Sequence, residues 1–414
     1  MSEFAESYDV VIAGGGPAGA SAAIHLALGG ARVLLAEQKK FPRAKLCGEF
    51  ISPECLGHFE RLGVQDAMIQ AGGAPLMRTV FYSEHGRRAA VPSVWFNQGQ
   101  EQRVALGLSR AEMDSRLLER ARQAGVRVLE ETQAAGLVLE QGIVRGVRLK
   151  EGSGGGISGA LVIRSAVTID ATGRACALAR HSKAGENSAS GNSNRRQKRP
   201  PLVAFKAHLL DARIEPGDCE IYFYRGGYGG LSSVEKGLSN LCFIARAGDV
   251  RARGSDPARV MREVLCSNER ARLMLSESRA ATAWLSVALE GFGRREVAPA
   301  RGLLSVGDAA SFIDPFTGSG MLMALESGEI AARVIVKRLE QLRAGEGFYG
   351  LSENYGALYS ERFDRRLRVC SLLRRAAFVP GLATAAIRLF GASEPLRRSL
   401  ARATRQGIRD AGRA

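Results

Sequence analysis

Residues 8–37 constrain this chain more than any other stretch. Val10, Val11, Ile12 and Ala13 form an apolar run short enough for a buried parallel strand, and the loop Gly14-Gly15-Gly16-Pro17-Ala18-Gly19 follows it. An alanine-rich helix comes next, then a second apolar strand over residues 32–36 that ends on Glu37. This is the βαβ unit of a dinucleotide-binding domain. Gly14 permits the tight turn out of the strand, Gly16 lets backbone amides approach a pyrophosphate, and Gly19 lets the helix sit close on the sheet. Pro17 and Ala18 open that helix, whose orphan N–H groups and positive dipole end face the phosphates. Glu37 stands where a carboxylate accepts hydrogen bonds from a ribose 2′-hydroxyl, and its charge disfavours a 2′-phosphate. FAD or NAD is therefore expected at this loop in preference to NADP.

Two later stretches carry the same chemistry. Residues 167–174 form an apolar strand closing on Ala171-Thr172-Gly173-Arg174, where small residues let the backbone pass close to a cofactor. Residues 303–306 read as another short buried strand, and it runs into Gly307-Asp308. That places a carboxylate at the carboxyl edge of the sheet, where the ribityl hydroxyls of FAD could be held. Asp314-Pro315-Phe316-Thr317 then leads to Gly318-Ser319-Gly320, which opens a long helix expected over residues 320–339. The amides and dipole of that helix start can stabilise negative charge on a reduced flavin ring.

Composition narrows the alternatives. Hydrophobic residues at 45% and charged residues at 24% describe a globular protein. No apolar run approaches the ~20 residues of a membrane span, and no basic segment with an apolar core opens the chain, so a cytosolic protein is expected. The seven cysteines are scattered without a C-x-x-C pair, and five histidines stand in no ligand spacing, so neither a disulfide framework nor a metal site is expected. The net charge of +16 is concentrated: residues 361–414 hold 13 Lys/Arg against 4 Asp/Glu. No aromatic stripe accompanies the basic residues, which argues against nucleic acid. Tyr359, Phe363, Leu367, Cys370 and Leu373 lie at helical spacing. The tail is therefore read as a helix packed over the substrate domain, with peripheral contact to anionic lipid as the other reading.

The periodicities give an α/β chain with a Rossmann-type FAD-binding domain, an inserted antiparallel β-sheet substrate domain and a C-terminal helical segment. The FAD-binding domain is expected over residues 1–76, 102–180 and 290–345, the substrate domain over 77–101 and 200–289, and the basic helical segment over 346–414. A helix over residues 109–124 has Ser109 as N-cap and Glu112 at the capping-box position. Gly152 to Gly156 reads as a hairpin tip, and residues 181–201 as a polar linker.

The order of these motifs resembles the p-hydroxybenzoate-hydroxylase-fold flavoproteins. Within them, Phe41-Pro42-Arg43-Ala44-Lys45-Leu46-Cys47-Gly48-Glu49 and Ser109-Arg110-x-x-x-Asp114 are similar to segments of the geranylgeranyl-reductase-like branch. The resemblance implies that Asp308 holds the ribityl chain, that Arg43 and Arg110 lie near the cofactor, and that Cys47, Gly48 and Glu49 approach the flavin ring. The chain departs from that branch where a Tyr-x-Trp-x-Phe-Pro motif is expected, having Gly226-Gly227-Tyr228-Gly229-Gly230-Leu231-Ser232 instead. Halogenases of related fold use a Trp-x-Trp-x-Ile-Pro motif, whereas Trp95 and Trp284 stand far apart here. The catalytic candidates are Cys47 as an acid or polarising thiol, otherwise a small core residue; Glu49 as a substrate-positioning carboxylate, otherwise an ordinary surface carboxylate; and Tyr228 as a pocket residue, otherwise a core aromatic. The expected activity is hydride transfer from FAD to a C=C bond of a lipophilic isoprenoid or polyketide-like substrate. The alternative is a monooxygenase that hydroxylates an aromatic or polyketide ring with NAD(P)H and O₂. The glycine stretch 152–156 lies between two β-rich runs and not between a strand and a helix, so no second dinucleotide loop is expected, and reducing equivalents are expected from transient NAD(P)H or another external donor.

Overall fold

A computed structural model describes residues 7–96, 103–151, 161–180, 202–315, 318–346, 348, 350–378 and 381–403. The glycine stretch 152–156, the linker 181–201 and Phe316 and Thr317 lie outside the described residues.

The first strand, Ser7–Ala13, sits inside a sheet that contains seven strands among the described residues. It pairs in parallel with Val33–Ala36 on one side and Leu161–Asp170 on the other. Arg127–Leu129 extends the parallel part beyond Val33–Ala36, and Leu303–Ser305 pairs in parallel with Leu161–Asp170. Thr132–Glu140 and Ile143–Glu151 complete the sheet as an antiparallel meander. The run of Val10 to Ala13 is apolar at every position because both its faces are covered. Val10 and Ile12 join the core under the helices Pro17–Leu28 and Gly320–Val336, and Val11 and Ala13 join the core beneath the meander. Gly19 shows why the loop needs glycine for packing: a Cβ there would stand 1.9 Å from the Gly14 carbonyl oxygen. The Arg110–Gln123 helix starts as expected, with Ser109 Oγ accepting the Glu112 N–H at 3.2 Å.

The second sheet contains eight strands among the described residues. At its centre Leu202–Leu210, Ser239–Arg246, Gly227–Ser233 and Asp218–Tyr224 run antiparallel to their neighbours. Arg78–Tyr82 joins Asp218–Tyr224 in parallel and Arg88–Pro92 forms an edge. One face packs Phe205, Ala207, Leu241 and Phe243 against Val260, Leu265 and Ala271 of the helical segment that follows the sheet. The opposite face is turned to the first sheet and carries Lys206, His208, Asn240 and Cys242 at alternate positions.

The tail corrects one expectation. On the helix Leu351–Ala377 the stripe residues Tyr359, Phe363, Leu367 and Cys370 pack in the core of the first sheet with Gly320–Val336, and only Leu373 at its end faces a cavity lined by the second sheet. The stripe continues backwards through Tyr355 to Leu351, and the fully buried Arg366 bonds Glu326 of the Gly320–Val336 helix at 3.2 Å. Those contacts fix the helix to its predecessor in the chain. The helices Leu382–Ala392 and Glu394–Ala403 pack instead against the second sheet's edge, Arg88–Pro92, and against Ser93–Phe96. No described helix is long and apolar enough to cross a membrane.

Candidate functional site

The carboxyl ends of the parallel strands open on a cleft of about 430 Å³. Gly14, Gly16, Pro17 and Ala18 form one part of its wall, and Gly19 lies behind them against the sheet. Gly16 tests whether a dinucleotide fits. Its φ of −71° is open to any residue. A Cβ there would meet nothing closer than Arg110 Nη2 at 3.7 Å and Arg43 Nη2 at 3.9 Å. The protein alone therefore does not require glycine at this position. A pyrophosphate against the helix N-terminus does, and two guanidinium groups already face the spot. Asp114, fully buried, holds both: Arg110 donates to it at 2.8 and 2.7 Å and Arg43 at 3.1 Å. Burial acts against the charge on Arg110, but Asp114 outweighs it and keeps the guanidinium protonated. Glu37 lies on the wall, where its carboxylate accepts the Gly15 N–H at 2.8 Å and the Lys39 N–H at 3.0 Å. It thus holds the loop in place and has lone pairs left for a ribose hydroxyl.

Farther along the cleft lie Gly173, Gly307 and Asp308. The Asp308 carboxyl makes no hydrogen bond among the described residues. Burial pushes its pKa up, against Arg174, Arg110, Lys45 and Arg295. A carboxyl in that setting gains from hydroxyl donors such as those of a ribityl chain. Gly318 and Gly320 lie on the wall at the start of the Gly320–Val336 helix, but Ser319 is fully buried and is not on the wall.

The catalytic candidates separate. Cys47 and Glu49 both line the cleft. Glu49 is no surface carboxylate: it is 1% exposed and bonded to the Arg110 N–H, Lys206 and His208. Burial alone would raise its pKa, but His208 and Lys206 hold it below the usual carboxylate range. Tyr228 lines neither this cleft nor the cavity beside it. Its ring packs near Phe223 and Phe378, and its hydroxyl donates to Asp314. The sequence reading missed Lys206 and His208. The signal was available, since a lysine interrupts the apolar Leu202–Leu210 strand, but alternation alone marks that strand as a sheet element and says nothing of what its outer face meets.

Gly48, Phe50, Pro315 and Gly318 are shared with a second, apolar cavity of about 210 Å³. Phe81, Val91, Ile221 and Phe223 of the second sheet form its floor, and Ile387, Phe390 and Ala401 of the last two helices wall it. Gly230 and Ser232 of the glycine-rich strand also line it. The cofactor cleft and an apolar chamber thus share one wall.

Residues 7–341 match the FAD binding domain family. The chain belongs to that family. It is an FAD-dependent oxidoreductase. Among curated relatives, digeranylgeranylglycerophospholipid reductase 2 of Methanopyrus kandleri is 26% identical over 369 residues, covering 87% of this chain and 84% of the relative. Among solved structures, a geranylgeranyl bacteriochlorophyll reductase-like protein from Thermoplasma acidophilum superposes with a TM-score of 0.76 at 19% identity, over 97% of each chain. A probable FAD-dependent monooxygenase from Pseudomonas aeruginosa reaches a TM-score of 0.69 at 18% identity, over 92% of this chain and 99% of its own. At those identities the two structures show the shared fold.

Proposed function

We propose that this flavoprotein saturates a C=C bond in a lipophilic substrate of isoprenoid or polyketide-like type. The observation that carries the reading is the wall shared by the cofactor cleft and the apolar cavity. When bound, FAD supplies a hydride to one carbon of the double bond. The chain's own residues do the rest. Gly16 and the Pro17–Leu28 helix take the pyrophosphate with Arg43 and Arg110, Glu37 takes the ribose and Asp308 the ribityl hydroxyls. Phe50, Phe81 and Phe223 hold the apolar chain and exclude water from the reacting carbons. Cys47, next to the shared Gly48, is placed to deliver the proton that the second carbon needs, with Glu49 behind it. Transient NAD(P)H or another external donor supplies the electrons.

The names of the curated relatives support the isoprenoid reading over hydroxylation. The test is to supply a geranylgeranyl-bearing lipid and an electron donor with and without oxygen. Saturation of the lipid without oxygen is expected. A product that forms only with oxygen and carries an added oxygen atom would assign the chain to hydroxylation.

A further inference from the structure

Glu49 has a φ of 51°, in the left-handed region that residues other than glycine seldom adopt. Strain of this kind persists where surrounding contacts enforce it, and a carboxylate buried this deeply needs paired charge. The contacts come from both sides of the molecule. The Arg110 N–H, at the start of the Arg110–Gln123 helix, donates to Oε1 at 2.8 Å. From the second sheet Lys206 Nζ donates to Oε1 and His208 Nε2 bonds Oε2 at 2.6 Å. Lys206 is 3% exposed, and among the described residues Glu49 is the one hydrogen-bond partner of its ammonium.

The same turn carries Cys47. The Glu49 N–H donates to Cys47 Sγ at 3.4 Å, and Cys47 lines the same cleft as Arg110. Asn240 of the second sheet donates to the Cys47 carbonyl at 3.2 Å. Three side chains of one sheet face thus grip a three-residue turn on the wall of the cofactor cleft.

We infer that Lys206 and His208 are positioning residues of the redox site: by holding the Glu49 carboxylate from the second sheet, they keep the turn of Cys47, Gly48 and Glu49 in place and set the reactivity of the Cys47 thiol. The inference rests on reading the cleft as the FAD site, and adds that the second sheet supplies part of it. Without the Lys206 ammonium, the buried Glu49 carboxylate loses charge compensation and takes up a proton more readily. The left-handed turn then relaxes and the Glu49 N–H leaves Sγ, so the sulfur loses the donor that holds it and reacts more slowly.

The experiment is alkylation of the full-length, FAD-loaded protein with iodoacetamide, mapped by peptide mass from about pH 6 to about pH 9. Cys266 is the internal control, a half-buried thiol on the helix-covered side of the second sheet. Lys206→Met and His208→Leu are expected to slow Cys47 alkylation about tenfold, roughly the effect of losing one hydrogen bond to the reacting sulfur. Cys266 and FAD content should not change. Lys206→Arg and His208→Gln, which keep a donor, should restore the wild-type rate and pH profile. Wild-type alkylation of Cys47 in the Met and Leu variants would overturn the inference. So would a parallel change at Cys266, which would mean general loosening. If Lys206→Met does not fold, the two His208 variants decide on the same criteria. No substrate enters the measurement, so its failure leaves the proposed lipid reduction standing, and a failure to reduce lipid leaves this inference intact.

Discussion

At the scale of single residues, Gly16 separates what the fold requires from what a ligand requires. Because the space a Cβ would fill there is open in the protein, Gly16→Ala should fold normally, with an unchanged circular dichroism spectrum, and purify without flavin. A full flavin spectrum in that variant would move the pyrophosphate elsewhere. Asp308→Ala should weaken FAD binding by about 1.5–3 kcal/mol, the contribution of a hydrogen bond to a charged group. An unchanged dissociation constant would reject its assignment to the ribityl chain. Gly14, Gly16, Glu37 and Asp308 were marked by local spacing along the chain, and Arg43 and Arg110 by the family resemblance, and the structure brings all six to one cleft. Lys206 and His208 were not marked, since their partner Glu49 is more than 150 residues away and nothing in either segment names the other. Tyr228 shows the opposite case: its residue type suits a pocket, but its side chain lines neither cavity and its hydroxyl bonds Asp314.

At the scale of elements, the helices behind the nucleotide loop are joined by an ionic cluster. His58 of the Pro53–Arg61 helix lies 2.9 Å from Glu329 and 3.8 Å from Glu326, both on Gly320–Val336. Arg366 reaches Glu326 from the Leu351–Ala377 helix. Burial acts to lower the His58 pKa, but the two carboxylates outweigh it and raise it. Glu326 moves the other way, to about 2: burial opposes the shift, and His58, Arg366 and Arg362 produce it. A histidine whose folded pKa is raised contributes stability that is fully present below its unfolded value, about 6.5, and lost as pH rises through the folded value. The thermal midpoint should therefore fall as pH is raised from about 6.5 into the alkaline range, and His58→Gln should flatten that fall. A wild-type slope in the variant would remove His58 from the account. The sequence predicted the helix after Gly318-Ser319-Gly320 and the tail helix but not Pro53–Arg61, and it could not place the tail helix, because one amphipathic stripe fits either sheet. The buried Arg366 against Glu326 decides between them, and such a pairing is visible only once the helices are packed.

At the scale of the whole molecule, the last two helices join the two halves of the account. They wall the apolar cavity at Ile387, Phe390 and Ala401 while carrying part of the chain's positive charge. Truncation before Gly381 should open the cavity to solvent, lower the thermal midpoint and raise binding of an apolar dye. If walling the cavity is their whole task, the intact chain should not sediment with anionic vesicles at low salt. Tight binding that fades with salt would assign the basic helices to a membrane surface as well. Reduction of a double bond across the shared wall by the flavin in the cleft is tested most directly by mixing anaerobically reduced, FAD-loaded protein with a geranylgeranyl-bearing lipid and recording the flavin absorbance. The oxidised spectrum is expected to return without oxygen, with one C=C bond saturated per flavin. A flavin that stays reduced until oxygen is admitted, with the lipid's double bonds intact, would contradict reduction across that wall.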